Sequence, residues 1–265
     1  MKEEIQQLLP TECPWRDTLY WYDTIDSTNT QAKVLARQGA AAGTVLIAQT
    51  QTAGRGRLGR QFHSPAGLGL YLSVILRPQC KPDKLMHLTC ATAVAACNAI
   101  EKVCGIRPGV KWINDLVLEK KKLGGILTEL SIDHKTGLVD FAVVGIGINC
   151  RHKKDHFPPE LHTIATSLEM AGISAEIPAI AAALVDALCH MDAALLSEKS
   201  ATMAQYRKDC ITLGNEITVH RADSVTPGKA LDVDDDGALV VAYQDGSVRP
   251  VNSGEVSVRG LYNYI

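Results

Sequence analysis

The residues KWINDLVLEKKKLGGIL, at positions 111–127, alternate short apolar runs with charged turns and include a Gly-Gly pair. Runs of this length that are rich in β-branched residues and bounded by Asn, Asp, Gly and Lys predict strands. The pattern continues through ILTELSID and LVDFAVVGIGINC to residue 150, and Lys135-Thr136-Gly137 offers a hairpin turn between these two runs. The stretch 109–150 is therefore predicted to be β structure throughout.

Helices and strands are predicted on both sides of this block. Asp26-Ser27-Thr28-Asn29 precedes a helical pattern that Gly39 closes, and Thr28 and Gln31 have the spacing of a capping box. The periodicity of the apolar residues predicts the remaining elements. These are strands at 44–50 (TVLIAQT) and 69–77 (GLYLSVILR), and helices at 83–104, 176–197 and 201–209.

The last part of the chain, from about residue 212, changes character. Short β-branched runs (EITVH, ALVVAY, EVSVRG) are separated by Gly and Asp turns, which is typical of a small β barrel. We therefore expect an α+β fold with two domains. Residues 1–211 would form a mixed-sheet domain with helices packed on the sheet, and residues 212–265 a small SH3-like barrel.

Composition excludes several classes of protein. A formal net charge of −2 over 265 residues argues against broad electrostatic binding to nucleic acid or membrane. No signal peptide and no apolar run of membrane-spanning length is recognisable, so we expect a protein without a membrane segment. The eight cysteines form no CxxC pair, and Cys90, Cys97 and Cys104 recur every seven residues on one helical face. A redox or metal stripe is one interpretation of them; we favour buried packing residues, in a cytoplasmic protein.

The loop Gly54-Arg55-Gly56-Arg57-Leu58-Gly59-Arg60 follows a predicted strand and matches GxGxxG. A dinucleotide-binding interpretation requires a helix after the glycines, and the residues that follow, QFHSPAGLG, resist helix formation. A solvated charged loop is a second possibility. We favour a clamp, because glycines allow close backbone approach to a ligand while arginines supply donors for phosphate or carboxylate.

Two other segments carry candidate chemistry. Lys122 stands directly before Gly-Gly and a β run, so its ammonium could point into a pocket, whereas Asn114-Asp115 could equally be a bend between strands. Gly145 and Gly147 fall on one side of a strand and would open a groove, and Asn149 at its end could contact a purine edge. A bulged strand would explain the same pattern.

No metal site is predicted from the sequence. Asp232, Asp234, Asp236 and Gly237 resemble the start of a calcium loop, but position twelve is Tyr243 instead of glutamate, so we interpret the segment as an acidic hairpin turn. The eight histidines form neither HxH nor HExxH patterns.

Taken together and in order, DSTN, Q-TAGRGRLGR, KWIND-LVLEKKKLGGIL and GIGIN resemble the biotin–protein ligase family. The similarity runs from about residue 22 to 150, with a weaker match to the small C-terminal β domain of that family. It implies a mixed sheet with helices on one side, and a ligand under the GRGRLGR loop. Four positions depart from the family pattern: Ile113 replaces a proline, Phe62 replaces a tryptophan, and Cys150-Arg151 replaces Val-Asn.

The resemblance also implies roles for individual residues. Lys122 and Arg57 would stabilise charge at the reacting groups, and Asp115 would orient or deprotonate the acceptor lysine. Biotin would be bound by Ser27, Thr28, Asn29, Gln51, Gly54, Arg55, Gly56, Arg57, Lys122, Gly125, Gly145 and Gly147. The nucleotide would be bound by Arg57, Phe62, Trp112, Lys122 and Asn149.

The implied activity is a two-step ligation. Biotin and ATP, supplied as MgATP, would give biotinyl-AMP, and a lysine of a biotin carboxyl carrier protein would then displace AMP. The alternatives are a lipoate- or octanoate-transferring relative on the same fold, or a non-enzymatic biotin or nucleotide sensor. About 20 residues precede the first motif, too few for a DNA-binding domain, so we expect no DNA binding. An exposed strand in the 139–150 region could pair two subunits in a homodimer or dock the acceptor protein.

Overall fold

A computed structural model of the chain describes residues 1–174, 176–221, 224–252 and 257–260. The part before residue 210 contains α1 (Lys2–Leu8), β1 (Leu19–Ile25), α2 (Thr28–Arg37), β2 (Val45–Gln51), β3 (Gly69–Leu76), α3 (Leu88–Cys104), β4 (Gly109–Lys111), β5 (Asp115–Leu118), β6 (Lys121–Ile132), β7 (Val139–Asn149), α4 (Ile177–Ala194) and α5 (Lys199–Asp209). Short 3-10 turns lie at Arg57–Gly59, Pro82–Leu85, Lys154–His156, Pro159–Leu161 and Glu169–Ala171. The remainder contains β8 (Glu216–Arg221), β9 (Ser224–Val233), β10 (Leu239–Tyr243), β11 (Val248–Val251) and β12 (Ser257–Gly260).

The first seven strands form one mixed sheet in the order β1-β2-β3-β7-β6-β5-β4. The β1–β2 pair is parallel and joined through α2, and every other neighbouring pair is antiparallel. This confirms the predicted α+β fold with a mixed sheet. β7 lies in the middle of the sheet, hydrogen-bonded on both sides, so the expectation that the 139–150 strand is exposed for pairing was wrong.

Different helices and different hydrophobic clusters pack on the two faces of the sheet. Val45 and Ile47 point to the main core, which α3 and α4 cover, whereas Leu46 between them packs with α2 on the opposite face. This alternation follows from the two-residue period of a strand. Helices therefore lie on both faces, and the expectation of helices on one side was wrong. α2 covers only part of its face, through Ala32 and Ala36, and the candidate site lies beside it.

The main core is built around the contact between α3 and α4. Cys90 and Cys97 on α3 are fully buried, and burial raises the pKa of the Cys97 thiol to about 12. The interpretation of these cysteines as packing residues is confirmed. Among the described helices, α4 is the one long and apolar enough to cross a membrane by length and composition. Ile180, Leu184 and Leu188 of α4 are fully buried in the core, which is typical of a core helix.

The C-terminal strands form a separate antiparallel sheet in the order β11-β10-β9-β8-β12. The acidic segment is the turn between β9 and β10, closed by a hydrogen bond from Gly237 N to Asp234 O, as the sequence predicted. This turn contacts the large sheet, because the indole Nε1 of Trp112 donates to Gly237 O over 2.9 Å. Arg207 of α5 binds Asp235 on the same turn over 2.6 Å. The division at residue 212 remains our proposal.

Candidate active site

A cavity of about 510 Å³ opens on the face of the sheet that α2 partly covers. Its volume is within the range of small-molecule sites. Of the sequence-predicted residues, those that line it are Ser27, Thr28, Asn29, Gln51, Arg55, Gly56, Arg57, Phe62, Trp112, Asp115, Lys122, Gly125, Gly145, Gly147 and Asn149. Gly54 does not line it and instead packs closely beneath the backbone of Phe62, where a Cβ would collide with the carbonyl oxygen.

The N-terminus of α2 forms one end of the cavity. Ser27 is the N-cap and its hydroxyl accepts from Thr30 N over 3.4 Å, so the predicted capping box starting at Thr28 was wrong by one residue. Thr28 instead donates through both its N–H (2.9 Å) and its hydroxyl (3.1 Å) to Gln51 Oε1, and Gln51 donates on to Ser64. The end of β2 is thereby tied to the start of α2.

Asn29 is buried, and both its amide nitrogen and its amide oxygen form hydrogen bonds with other protein groups. Its nitrogen donates to Leu127 O (3.3 Å) and to Glu129 Oε2 (3.0 Å), while its oxygen lies 2.6 Å from Ser73 Oγ. The amide orientation is therefore set by its partners. Asn29 shapes the wall of the cavity, with both of its amide protons already used.

Two glycines of β7 make the floor. A Cβ on Gly145 would overlap with Asn29 Oδ1, and a Cβ on Gly147 would overlap with the ring of Phe62. Because β7 pairs in register with β3 and β6, Gly147 lies opposite both Tyr71 and Gly125. The groove predicted from the spacing of these glycines is thus present, and Phe62 lies over it.

The arginine-rich loop crosses the cavity between two anchors. Arg57 donates to Asn114 Oδ1 over 2.8 Å, and Arg55 lies 3.3 Å from the carboxylate of Glu129. Burial lowers the pKa of Arg57, while the nearby Asp115 carboxylate acts in the opposite sense. A 3-10 turn at Arg57–Gly59 follows the glycines in place of a helix, which excludes the dinucleotide-binding interpretation.

Lys122 reaches the cavity because of a β-bulge. β5 and β6 pair Asp115 with Gly125, but the register shifts at the next residues, so that Val117 pairs with Lys122. Without the extra residue, Lys122 and Gly125 would point to opposite faces of the sheet. Lys122 Nζ instead donates to Asp115 Oδ1 over 2.6 Å, directly above Gly125.

These side chains place two cations in the lining of one cavity. Lys122 and Arg57 enter from different elements, and each is held by a neighbouring polar group, Asp115 and Asn114 respectively. Preorganised donors of this kind bind an anionic group without further rearrangement. The cavity is therefore suited to a ligand that carries carboxylate or phosphate at one end.

Comparison with known proteins agrees with this geometry. The model of the biotin/lipoate A/B protein ligase family matches residues 21–149, and that of the biotin protein ligase C-terminal domain matches residues 212–259. The bifunctional ligase/repressor BirA of Bacillus spizizenii is 34% identical over 261 residues, which are 97% of this chain and 78% of that protein. The chain belongs to the biotin protein ligase family. It is therefore an enzyme of the ligase class.

Other members of the biotin protein ligase family match over nearly the whole chain. The biotin–[acetyl-CoA-carboxylase] ligase of Mycobacterium tuberculosis is 31% identical over 263 residues, covering 94% of this chain and 92% of that protein. The solved biotin protein ligase of Aquifex aeolicus, in complex with biotin and ATP, superposes with a TM-score of 0.76 and 28% identity. That alignment covers 91% of this chain and 98% of the Aquifex chain.

Three of the four residues that depart from the family pattern lie outside the cavity lining. Ile113 and Cys150 are buried in the core, and Arg151 pairs with Glu176 over 2.9 Å. Phe62, the fourth, lines the cavity and keeps an aromatic ring over Gly147.

Sequence reasoning missed one wall of the ligase cavity. Phe157, Leu161, Ile164 and Ala165 line it, although their segment has only short 3-10 turns. Two backbone hydrogen bonds hold the segment against β6, from Lys122 N to Ile164 O (2.7 Å) and from Thr166 N to Lys122 O (2.9 Å). The apolar residues at 157, 161 and 164 were the available signal, but without the fold nothing indicated what they faced.

Asn149 and Trp112, two of the predicted nucleotide contacts, donate their side-chain hydrogen bonds to backbone carbonyl groups. Asn149 donates to Thr166 O over 2.9 Å, and the Trp112 indole donates to the C-terminal turn. Both line the cavity, but the interaction of Asn149 with the 157–166 segment suggests that it shapes the wall. A purine contact by Asn149 remains a proposal.

Proposed function

We propose that the chain activates biotin with MgATP as biotinyl-AMP and transfers the biotinyl group to a lysine of a biotin carboxyl carrier protein. The observation that carries this proposal is the pair of anchored cations, Lys122 and Arg57, in the lining of the cavity. The named relatives support the choice of biotin, since they are a biotin–[acetyl-CoA-carboxylase] ligase and a biotin protein ligase solved with biotin and ATP.

The first step joins two anions. An oxygen of the biotin carboxylate attacks the α-phosphorus of ATP and forms a new P–O bond. The bond between the α-phosphorus and the bridging oxygen of the β-phosphate breaks, and pyrophosphate leaves with its electron pair. Lys122 and Arg57 offset the negative charge that develops at the phosphate. Asp115 and Asn114 hold these two cations in place, so little reorganisation is needed during the reaction.

In the second step the acceptor amine attacks the carboxyl carbon and AMP leaves. The amine must be neutral to attack, and it loses a further proton as the amide forms. Asp115 is our candidate for orienting this amine or accepting its proton. Its contact with Lys122, the cation that we assign to the reacting groups, supports this choice.

The function is tested by ATP–pyrophosphate exchange with purified protein and Mg²⁺, comparing biotin, lipoate and no added acid. We expect exchange that requires biotin. Exchange with lipoate alone would replace the substrate and favour the lipoate- or octanoate-transferring alternative. Exchange with neither acid, together with biotin binding, would favour the sensor. A carrier protein labelled on one lysine would complete the proposal.

Several finer points belong to the same proposal. Magnesium would enter the site with the triphosphate, as part of the MgATP substrate. We propose a cytoplasmic enzyme, because all eight cysteines are free and five of them lie buried in the core. Formation of a homodimer and the absence of DNA binding remain predictions.

A further inference from the structure

Glu129 of β6 lies behind the cavity wall and joins three other side chains from two separate segments. Its carboxylate is 2.7 Å from Lys33 Nζ and 3.0 Å from Asn29 Nδ2, both on α2. It is also 3.3 Å from the guanidinium of Arg55, in the arginine-rich loop. Only 22% of the Glu129 side chain is exposed, so these contacts are partly shielded from water.

The neighbouring side chains stabilise the ionised form of Glu129. Burial acts to raise the pKa of this carboxyl, but hydrogen bonds from Lys33 and Asn29 and the charge of Arg55 bring the pKa below its ordinary value. Lys33 and Asn29 therefore hold an ionised carboxylate in a defined position. Arg55 is the partner that belongs to a connecting loop instead of a regular element.

The contact between Arg55 and Glu129 holds the arginine-rich loop beside the cavity. The loop has two anchors on different elements. Arg57 binds Asn114, which directly precedes β5, and Arg55 pairs with Glu129 in the C-terminal half of β6. Leu58, directly after the anchored Arg57, is 57% exposed and adopts a left-handed backbone conformation with φ of 55°. Loss of either anchor would remove one of the two side-chain contacts that tie this loop to the sheet side of the cavity.

We propose that Glu129 is a positioning residue that keeps the arginine-rich loop closed over the cavity by anchoring Arg55. Glu129 is outside the cavity lining, and it acts through Arg55 without touching the ligand. The anchoring itself depends only on the contacts described above. Its effect on biotin rests on the proposed function.

The first test is limited trypsin cleavage, because Arg57 and Arg60 place cleavage sites within the loop. Glu129→Gln keeps the shape of the side chain and removes its charge. Loss of a partly shielded ion pair of this kind shifts an equilibrium severalfold, so we expect cleavage in the loop to accelerate severalfold, up to about tenfold. Asp140→Asn is the matched control, since Asp140 pairs with Arg77 over 3.2 Å away from the cavity.

The second test uses biotin-dependent exchange. We expect Glu129→Gln to raise the KM for biotin about tenfold and to leave kcat within about threefold, since the reacting cations stay in place. Arg55→Gln should raise the KM as well, and the double variant should be no worse than Arg55→Gln alone. An additive effect in the double variant would show that Glu129 does not act through Arg55.

The outcomes separate this proposal from the function on which part of it rests. Loop cleavage at the wild-type rate in Glu129→Gln would overturn the anchoring, whatever the activity. Acceleration that is equal at cleavage sites remote from the loop would also overturn it, since it would indicate a general loss of fold. A wild-type protein without biotin-dependent exchange would defeat the proposed function and leave the cleavage result intact.

Discussion

A single inserted residue determines which lysine of the charged run can do chemistry. Lys120, Lys121 and Lys122 are consecutive, but the bulge in β6 turns Lys122 toward Asp115 and Gly125. Lys120 is an exposed residue of the hairpin turn. The chemistry of the run is therefore decided by backbone register.

Replacing Lys122 by alanine should lower biotin-dependent ATP–pyrophosphate exchange at least about a hundredfold. A preorganised donor at a developing charge is worth on the order of 3 kcal/mol, which corresponds to that factor in rate. Lys121→Ala is the matched control and should keep activity within about threefold, since it changes a residue that does not line the cavity. Equal losses in the two variants would remove Lys122 from the mechanism.

His152 is a second residue whose environment has a measurable consequence. It is fully buried, stacks on Phe157 with a ring separation of 4.7 Å, and neither ring nitrogen has a hydrogen-bond partner in the structure. Burial lowers the pKa of His152 to about 4, and the charges of His63 and His156 act in the same direction. The native protein therefore holds this ring neutral, next to a wall of the cavity.

Stability should fall as the pH is lowered from about 6.5 toward 4. In this window the unfolded chain binds a proton at His152 that the native state does not, so unfolding is favoured as protons are added. At pH 5 this one group should cost about 2 kcal/mol relative to neutral pH. Urea unfolding of the wild type and of His152→Leu at pH 7.5 and 5 measures the difference, with exposed His134→Leu as control. The same pH dependence in all three proteins would contradict the assignment.

At the scale of elements, the sequence predicted most of the first sheet and the major helices. Apolar periodicity placed β2, β3, β7, α3 and α4 within a few residues, because each buries a face of its own. β1 was missed, since LYWYDTI at Leu19–Ile25 is an edge strand whose residues are mostly exposed or half-buried. The α2 cap was misplaced by one residue because Ser27 and Thr28 are both suitable N-caps, and only tertiary contacts assign Thr28 to Gln51.

β7 can pass beneath α2 only with glycine at position 145. Gly145→Ala should lower the free energy of unfolding by about 2–3 kcal/mol, because the added methyl group overlaps with the buried Asn29 amide. Gly125→Ala is the comparison, since its methyl group would meet the flexible end of Lys122 at 3.3 Å and Asp115 Oδ1 at an ordinary contact distance of 3.7 Å. We expect a loss below about 1 kcal/mol there. Chemical denaturation of both variants is the measurement, and similar losses would argue against the overlap with Asn29.

At the scale of the whole molecule, the C-terminal sheet is attached beside the cavity. Trp112 lines the cavity and donates its indole N–H to Gly237 O, and Lys199 and Arg207 of α5 pair with the same acidic turn. Sequence alone identified the acidic turn as a hairpin, but it could not show what the turn contacts. Contacts between residues more than a hundred positions apart leave no local pattern in the chain.

Trp112→Phe should weaken this attachment. The change removes the indole donor and leaves Gly237 O buried without its partner, at a cost of about 2 kcal/mol. Hydrogen exchange should also become faster in β9 and β10. Trp21→Phe is the control, because that indole binds Asp23 at an exposed site and its loss should cost under about 0.5 kcal/mol. Unchanged exchange in β9 and β10 of Trp112→Phe would show that the contact does not hold the domains together.

The sheet separates most of the residues of the large core from those that line the cavity. The large core lies on one face, and the cavity with its glycine floor lies on the other. Mutations that change what the cavity accepts therefore leave most of the core packing untouched, and drift in the core need not disturb recognition. A lineage built on this sheet can exchange one acyl substrate for another in small steps, each of them compatible with a folded protein. A family whose description names both biotin and lipoate is the expected product of such a history.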